Sequence, residues 1–125
     1  MSKKILLIDD EEDFCHFVKL NLEDTGKFEV STVISGTEGI EIAKEEKPDL
    51  ILLDLLMPVM DGSEVAEHLL KDEITKNIPI VFVTALTRKK EVDSHYGTIG
   101  GRTFLAKPVT PEELIKCIER VLEIS

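Results

Sequence analysis

The sequence has no long apolar run, fewer basic than acidic residues and only two cysteines. No stretch approaches the roughly 20 apolar residues that a membrane-spanning helix needs, which excludes that class of protein. The apolar segment near the amino terminus is too short for a signal peptide and runs directly into acidic residues. We therefore expect a cytoplasmic protein.

Basic residues are outnumbered, because 15 Lys and Arg stand against 25 Asp and Glu and leave a net charge of −10. Affinity for nucleic acid comes mainly from basic side chains that neutralise phosphates, so this balance argues against direct nucleic-acid binding. An acidic chain favours instead a cation site and protein partners with basic surfaces.

The two cysteines, Cys15 and Cys117, form no CxxC motif and have no histidine at metal-ligand spacing. Zinc and thioredoxin chemistry are therefore unsupported, and we expect both to be reduced and packed in helices, without a disulfide. The three histidines, His16, His68 and His95, lie in helical patterns away from strand ends. We expect them to be structural or surface residues.

The chain of 125 residues is expected to form one domain, 1–125, large enough to bury a core. Apolar strand patterns alternate with helical patterns, without repeats or linkers, which predicts an α/β fold with a parallel sheet covered on both faces. The second strand has interleaved polar residues, as expected of an edge. The predicted strands span 4–8, 28–33, 50–54, 78–84 and 99–106. The predicted helices span 11–24 and 35–46, begin at 61, span 87–97 and begin at 110.

The predicted helix over 87–97 is the weakest element. Positive charges at 88–90 lie where a helix amino terminus disfavours them, and the apolar face has little beyond Val92 and Tyr96. We predict a marginal, mobile helix. The alternative is an ordinary solvated helix held by packing that the sequence does not reveal.

A wholly apolar run, Leu50 to Leu53, ends at Asp54 and is followed by a loop bracketed by Pro58 and Gly62. Such a run is typical of a strand buried on both faces, so Asp54 is predicted at its carboxyl end. Burial raises the energy of a negative charge, and Asp54 stays ionised only if cations, hydrogen-bond donors or water compensate. The alternative is an aspartate that opens a turn or caps a helix.

Polar side chains follow four of the predicted strands at their carboxyl ends, where ligands gather in parallel α/β sheets. Two or three carboxylates cannot share one small site unless a cation separates them. A few carboxylates without a cage of carbonyls match Mg²⁺, which keeps several waters and binds phosphate oxygens. These residues are Asp9 and Asp10 after the first strand, Asp54 after the third, Thr84 after the fourth and Lys107 after the fifth.

This set of groups suits the formation of an acyl phosphate. Asp54 would attack phosphorus, Mg²⁺ and Lys107 would offset charge on the phosphoryl oxygens, and Thr84 would donate a hydrogen bond to one of them. Each residue also has an ordinary alternative: helix caps for Asp9 and Asp10, a β-branched strand residue for Thr84 and a surface charge for Lys107. Their coincidence at four strand ends favours the phosphoryl site.

The sequence resembles the receiver domains of bacterial two-component response regulators, over nearly its whole length. The matching motifs are the acidic pair in Ile8-Asp9-Asp10-Glu11, the acceptor and loop from Asp54 to Gly62, the hydroxyl in Val83-Thr84-Ala85, and Lys107-Pro108. The resemblance implies a flavodoxin-like (βα)5 fold with sheet order 2-1-3-4-5.

The resemblance also implies the details of the site. Mg²⁺, with Mn²⁺ as a substitute, would be held by Asp10, Asp54 and the backbone carbonyl of Leu56, with Asp9 acting through water. The phosphoryl group would come from a histidine kinase or a phosphotransfer protein, so the chain would be a phosphoacceptor that assists its own phosphorylation and dephosphorylation and not an enzyme. A cis peptide is implied between Lys107 and Pro108.

The resemblance further implies a switch. Thr84 would move toward the phosphoryl group and Phe104 would follow inward. The face formed by the predicted fourth helix, fifth strand and fifth helix would then change shape for a downstream protein or a phosphorylation-dependent dimer. The marginal helix over 87–97 lies on that face, where low local stability suits a two-state element.

Two other functions are compatible with parts of the pattern. A magnesium phosphohydrolase would want a second acid two residues after the nucleophile, where this chain has Leu56, and a cap domain, for which no residues remain. Turnover of a generic phosphate ester would reveal such a phosphohydrolase.

A second alternative is a pseudo-receiver, which binds its partner constitutively and would keep that partner after Asp54→Ala. The sequence leaves open the kinase, the target, the oligomeric state and whether the chain is a stand-alone regulator or part of a longer one.

Leu56 and Leu86 stand two residues after the acceptor and the switch threonine, where the fold should place them beside the phosphoryl group. Apolar side chains there offer no group to orient an attacking water, so we predict slow self-dephosphorylation. Leu86→Glu or Leu56→Asn should shorten the phosphoryl lifetime, measured by loss of the phosphorylated mass. An unchanged lifetime, as expected if both leucines point outward, would contradict this prediction.

Overall fold

A computed structural model of the protein describes residues 2–85, 96–99 and 102–124. The sheet has six strands in the order β2-β1-β3-β4-β6-β5, of which all but β5 are parallel. The five parallel strands therefore have the predicted order 2-1-3-4-5. The strands are β1 (Lys3–Ile8), β2 (Phe28–Val33), β3 (Leu50–Asp54), β4 (Ile80–Thr84), β5 (Tyr96–Ile99) and β6 (Arg102–Ala106).

Four helices cover the described part of the sheet on both faces, as predicted. All four have their N-cap at the predicted first residue. In three of them the side chain of this residue, Ser35, Asp61 or Thr110, accepts a hydrogen bond from the backbone N–H three residues later. No helix among residues 2–85 and 102–124 has the length and apolar character needed to span a membrane. The helices are α1 (Glu12–Glu23), α2 (Gly36–Glu46), α3 (Gly62–Lys71) and α4 (Pro111–Leu122).

The core lies in two layers, one on each side of the sheet. Every residue of β3 is buried, as its unbroken apolar run predicts. Alternate strand residues pack against α1 and α4 on one face, where Cys15 and Cys117 are buried and free, as predicted. The remaining strand residues pack against α2 and α3 on the other face. The strand β2 is an edge, also as predicted.

The antiparallel strand β5 is an addition to the five predicted parallel strands. The predicted helix over 87–97 lies outside the described residues, except for Tyr96 and Gly97, which belong to this strand. Ile99 pairs with Arg102 in the β5–β6 ladder. The predicted strand over 99–106 is thus β6 together with the end of a second strand.

The alternation of side chains along the strands determines which functional residues share a face. Asp9, Asp54 and Lys107 continue the alternation of the buried residues that pack against α1 and α4. Thr84 and Phe104 have the opposite parity, and Phe104 packs in the layer of α2 and α3. The sheet therefore places the charged groups at one rim of one face and the hydroxyl and aromatic groups on the other.

Candidate functional site

The end of β1 places a fully buried carboxylate at the rim of the sheet. Asp9 is 0% exposed, and its Oδ1 accepts a hydrogen bond from the backbone N–H of Glu11 at 2.9 Å. Its Oδ2 makes no hydrogen bond, although the ammonium of Lys107 lies 2.9 Å away as an ion pair. A buried carboxylate oxygen without a hydrogen bond is uncommon, and this one is compensated by its ion pair with Lys107.

The end of β3 places Asp54 beside it. This residue is 3% exposed, and its Oδ1 accepts a hydrogen bond from the backbone N–H of Leu56 at 3.1 Å. The start of α3 packs against the same backbone, because a Cβ on Gly62 would lie 2.3 Å from the carbonyl oxygen of Asp54. Only glycine permits this approach, and the N–H of Gly62 donates to the carbonyl of Leu55 at 2.9 Å.

Lys107 follows β6 and completes the charged group. Its peptide bond to Pro108 is cis, as predicted, and its backbone N–H donates to the carbonyl of Thr84 at 2.7 Å. Its Nζ lies 2.9 Å from Asp9 Oδ2 and 3.8 Å from Asp54 Oδ2. Glu11 Oε1 accepts a hydrogen bond from the same Nζ.

Charge is unbalanced at this rim. Burial raises the pKa of Asp54 to about 7, and the neighbouring charge of Asp9 adds to the shift, against the opposing effect of Lys107. Burial likewise raises the pKa of Asp9. Burial disfavours the ammonium of Lys107, but its hydrogen bond to Glu11 and its ion pair with Asp9 outweigh this and raise its pKa. The site therefore keeps a charged lysine beside carboxylates whose ionisation lacks full compensation.

A divalent cation would supply the missing charge. Carboxylate oxygens of Asp9, Glu11 and Asp54 all lie within 4.8 Å of one another, and one ammonium neutralises one of these three charges. Carboxylate oxygens at the ends of two adjacent strands, with the exposed Glu11 beside them, are the donor set that suits Mg²⁺. The residues present fit the ion.

The other predicted site residues lie in several environments. Thr84 is buried at the end of β4, and Phe104 is buried in the core. Asp10 is exposed and does not join the carboxylates of the described cluster, so its role as a direct ligand stays a prediction. Leu56 is 56% exposed. Leu86 lies outside the described residues.

The two described histidines have surface positions, as the sequence predicted. His16 and His68 are exposed on helices away from the rim, while His95 lies outside the described residues. Two residues near the rim received no role from the sequence. Glu11 is bound to Lys107, and the ring of Phe14 lies 4.3 Å from the same Nζ. The available sequence signal for Glu11 was its position, two residues after Asp9 and directly before the first residue of α1.

Comparison with known proteins identifies the family. Residues 5–119 match the response regulator receiver domain. The chain belongs to this family. The receiver domain is 37% identical over 120 residues to protein PilH of Pseudomonas aeruginosa, with 95% of this chain and 97% of PilH covered.

Longer relatives also match. The alkaline phosphatase synthesis transcriptional regulatory protein PhoP of Bacillus subtilis is 38% identical over 129 residues, with 100% of this chain but 52% of PhoP covered. The receiver domain thus spans about half the length of PhoP and of several other curated relatives, and almost all of PilH.

Solved structures share the fold. The chemotaxis protein CheY4 of Vibrio cholerae is 31% identical with a TM-score of 0.83, and the match covers 97% of this chain and 99% of CheY4. The receiver domain of sensor histidine kinase PA1611 of Pseudomonas aeruginosa is 26% identical with a TM-score of 0.82, and 98% and 99% of the two chains are covered. That protein has a magnesium ion coordinated in its active-site cleft.

The match and the acidic rim together define the general function. The chain is the receiver domain of a two-component response regulator, a domain that is phosphorylated on an aspartate with Mg²⁺. Such domains interact with histidine kinases or phosphotransfer proteins and with downstream effectors.

The raised pKa of Asp54 predicts a pH-dependent stability. Between its ordinary value of 3.8 and about 7, the folded chain holds a proton that the unfolded chain has released, so the free energy of unfolding falls as pH rises through this window. The Asp54→Asn variant has no carboxylate at this position, so its free energy of unfolding does not fall with pH in this way. Without metal, near pH 8, the variant should be more stable than wild type by about 1–4 kcal/mol, and near pH 5 the difference should shrink.

Urea unfolding in EDTA, followed by circular dichroism at both pH values, measures this difference. Asp24→Asn, which removes an exposed carboxylate at the end of α1, is the control for loss of one negative charge. An Asp54→Asn variant no more stable than wild type near pH 8 would show that ionised Asp54 is fully compensated.

Proposed function

We propose that this receiver domain accepts a phosphoryl group on Asp54 from the phosphohistidine of a kinase or phosphotransfer protein, in the cytoplasm. It would act as a phosphoacceptor that assists its own phosphorylation and dephosphorylation, and not as an enzyme for other substrates. The observation that carries the proposal is the buried Asp54 carboxylate, with one oxygen 3.8 Å from the ammonium of Lys107 and an unbonded oxygen of Asp9 in the same cluster.

The transfer is a displacement at phosphorus. An oxygen of ionised Asp54 attacks the phosphorus atom, an O–P bond forms, and the N–P bond of the phosphohistidine breaks. The electron pair of that bond returns to the imidazole nitrogen, which takes up a proton. The hydrogen bond from the N–H of Leu56 to Oδ1 fixes the orientation of the carboxylate, so Oδ2, on the side of Lys107, is the oxygen we assign as nucleophile.

Asp10, Asp54 and the carbonyl of Leu56 would hold Mg²⁺, or Mn²⁺ in its place, with Asp9 acting through water. When bound, the ion neutralises the carboxylates and the charge that develops on the phosphoryl oxygens. The protein contributes two carboxylates on adjacent parallel strands, β1 and β3, whose spacing is set by the ladder from Ile5↔Leu50 to Ile8↔Leu53. The acceptor and its ligands are therefore placed before the donor arrives.

Lys107 would offset charge on the transferred group. Burial limits the positions open to its side chain, and the hydrogen bond from its backbone N–H to the carbonyl of Thr84 ties the β6 end of the site to β4. Its ammonium is near enough to Asp54 to contact an oxygen of an attached phosphoryl group after a small movement.

Signal output would begin at Thr84 and Phe104. Both belong to the face opposite the charged groups, on the adjacent strands β4 and β6, where Phe82 pairs with Phe104 and Thr84 with Ala106. Movement of the Thr84 hydroxyl toward the phosphoryl group would change the space open to Phe104. The surface that includes β6 and α4 would then change for a downstream protein or a second copy of the chain, while the third predicted member of this face, the helix over 87–97, lies outside the described residues except for Tyr96 and Gly97.

Phosphorylation of purified protein tests the proposal. Wild type incubated with acetyl phosphate and Mg²⁺ should gain the mass of one phosphoryl group, and Asp54→Asn should gain none, because it lacks the nucleophilic oxygen. Lys107→Ala should be phosphorylated at least about tenfold more slowly, because one charge-stabilising group is lost.

Intact-mass spectrometry over time gives both results, and EDTA should abolish the gain. Asp61→Asn serves as a control because it changes a second aspartate after β3 that caps α3 and lies outside the cluster. Equal phosphorylation of wild type and Asp54→Asn would exclude Asp54 as the acceptor.

A further inference from the structure

Glu11 occupies a helix-capping position but does not cap the helix. It is the N-cap of α1, with the extended backbone usual there (φ −88°, ψ 106°), yet its side chain accepts no hydrogen bond from the first turn. Short oxygen-bearing side chains are preferred at this position because they reach the free N–H groups. The N-cap residues of α2, α3 and α4, which are Ser35, Asp61 and Thr110, all do so.

The Glu11 side chain binds Lys107 instead. Its Oε1 accepts a hydrogen bond from Nζ, which also lies 2.9 Å from Asp9 Oδ2 but 3.8 Å from Asp54 Oδ2. An ammonium group has three donors, and these contacts direct it toward the end of β1 and away from the acceptor. The Glu11 side chain is 59% exposed and that of Lys107 is 10% exposed, so Glu11 is the solvent-facing partner of the pair.

We propose that Glu11 is a positioning residue that binds the ammonium of Lys107 while Asp54 is unmodified and releases it to the phosphoryl oxygens during transfer. This inference rests on the proposed function of Asp54. A phosphoryl group carries more charge and more acceptor oxygens than one carboxylate, so it competes well for the ammonium. The exposed Glu11 carboxylate is the partner that can leave at least cost, because exposed ion pairs are weak.

Glu11 would therefore slow phosphorylation by holding Lys107 in its resting position. Replacement by glutamine keeps the shape but removes the charge, and should speed phosphoryl uptake from acetyl phosphate by about two- to fivefold. That change corresponds to about 0.4–1 kcal/mol. The control is Glu12→Gln, which removes an equally negative, exposed side chain at the next position. It should behave as wild type if the contact with Lys107, and not the net charge near the donor, is responsible.

The midpoint of urea unfolding distinguishes a positioning role of Glu11 from a structural one. Glu11→Ser should also speed phosphorylation, and at the same time raise the midpoint of urea unfolding, because serine at this extended N-cap can accept a hydrogen bond from α1. If Glu11 mainly supported the fold, its replacement would lower the midpoint, and that result would overturn the proposal.

The outcomes also distinguish this inference from the proposed function. If wild type gains no phosphoryl group, or gains one that Asp54→Asn retains, the proposed function fails. If wild type is phosphorylated on Asp54 while Glu11→Gln reacts at the wild-type rate or more slowly, only the role of Glu11 fails. A Glu12→Gln variant as fast as Glu11→Gln would likewise overturn it.

Discussion

Two buried carboxylates and one ammonium meet at the carboxyl end of the sheet. The resulting excess of negative charge is the constraint that determines what the site can bind. Asp9 and Asp54 are both almost fully buried, and Lys107 compensates them only in part. Such an arrangement is unfavourable for an isolated folded chain. It becomes useful when a divalent cation and a phosphoryl group enter, because the site already has the charge and the donors that they require.

The same constraint explains why the parallel sheet matters. Side chains from β1, β3 and β6 reach one small volume only because the carboxyl ends of these strands lie at one rim and have matching alternation. Thr84 ends the intervening strand β4 and has the strand parity of Phe82, which packs in the other layer of the core with Phe104. The site and the proposed output are thus separated by the thickness of the sheet and joined through the ends of β4 and β6.

Local signals were sufficient for most of the fold and for the central residues of the site. The unbroken apolar run before Asp54 predicted a doubly buried strand, and the sequences at Asp61 and Thr110 predicted helix starts that the structure contains. These signals predict structure well because the strand and the helix starts are determined by the backbone and by side chains that are close in sequence. The positions of Asp9, Asp54 and Lys107 followed from placing each after such a strand.

One missed feature is a pairing between neighbouring strands, and the other is a contact between residues distant in sequence. The antiparallel strand β5 pairs with the following strand β6, whereas the segment that includes Tyr96 was assigned to a helix from the positions of its apolar residues. The contact of Glu11 with Lys107 joins residues 96 positions apart, and an acidic residue at the start of a helix is ordinarily explained by the helix dipole. Three-dimensional proximity was needed to show its other partner.

The identity of the modified residue is the most direct measurement of the central claim. Borohydride reduces an acyl phosphate to an alcohol, so treatment of the phosphorylated protein converts the modified aspartate to homoserine, which peptide mass spectrometry can locate. The account predicts homoserine at position 54, with Asp9, Asp10 and Asp61 intact. Homoserine at any other aspartate, or none in a chain that has gained a phosphoryl group, would contradict it.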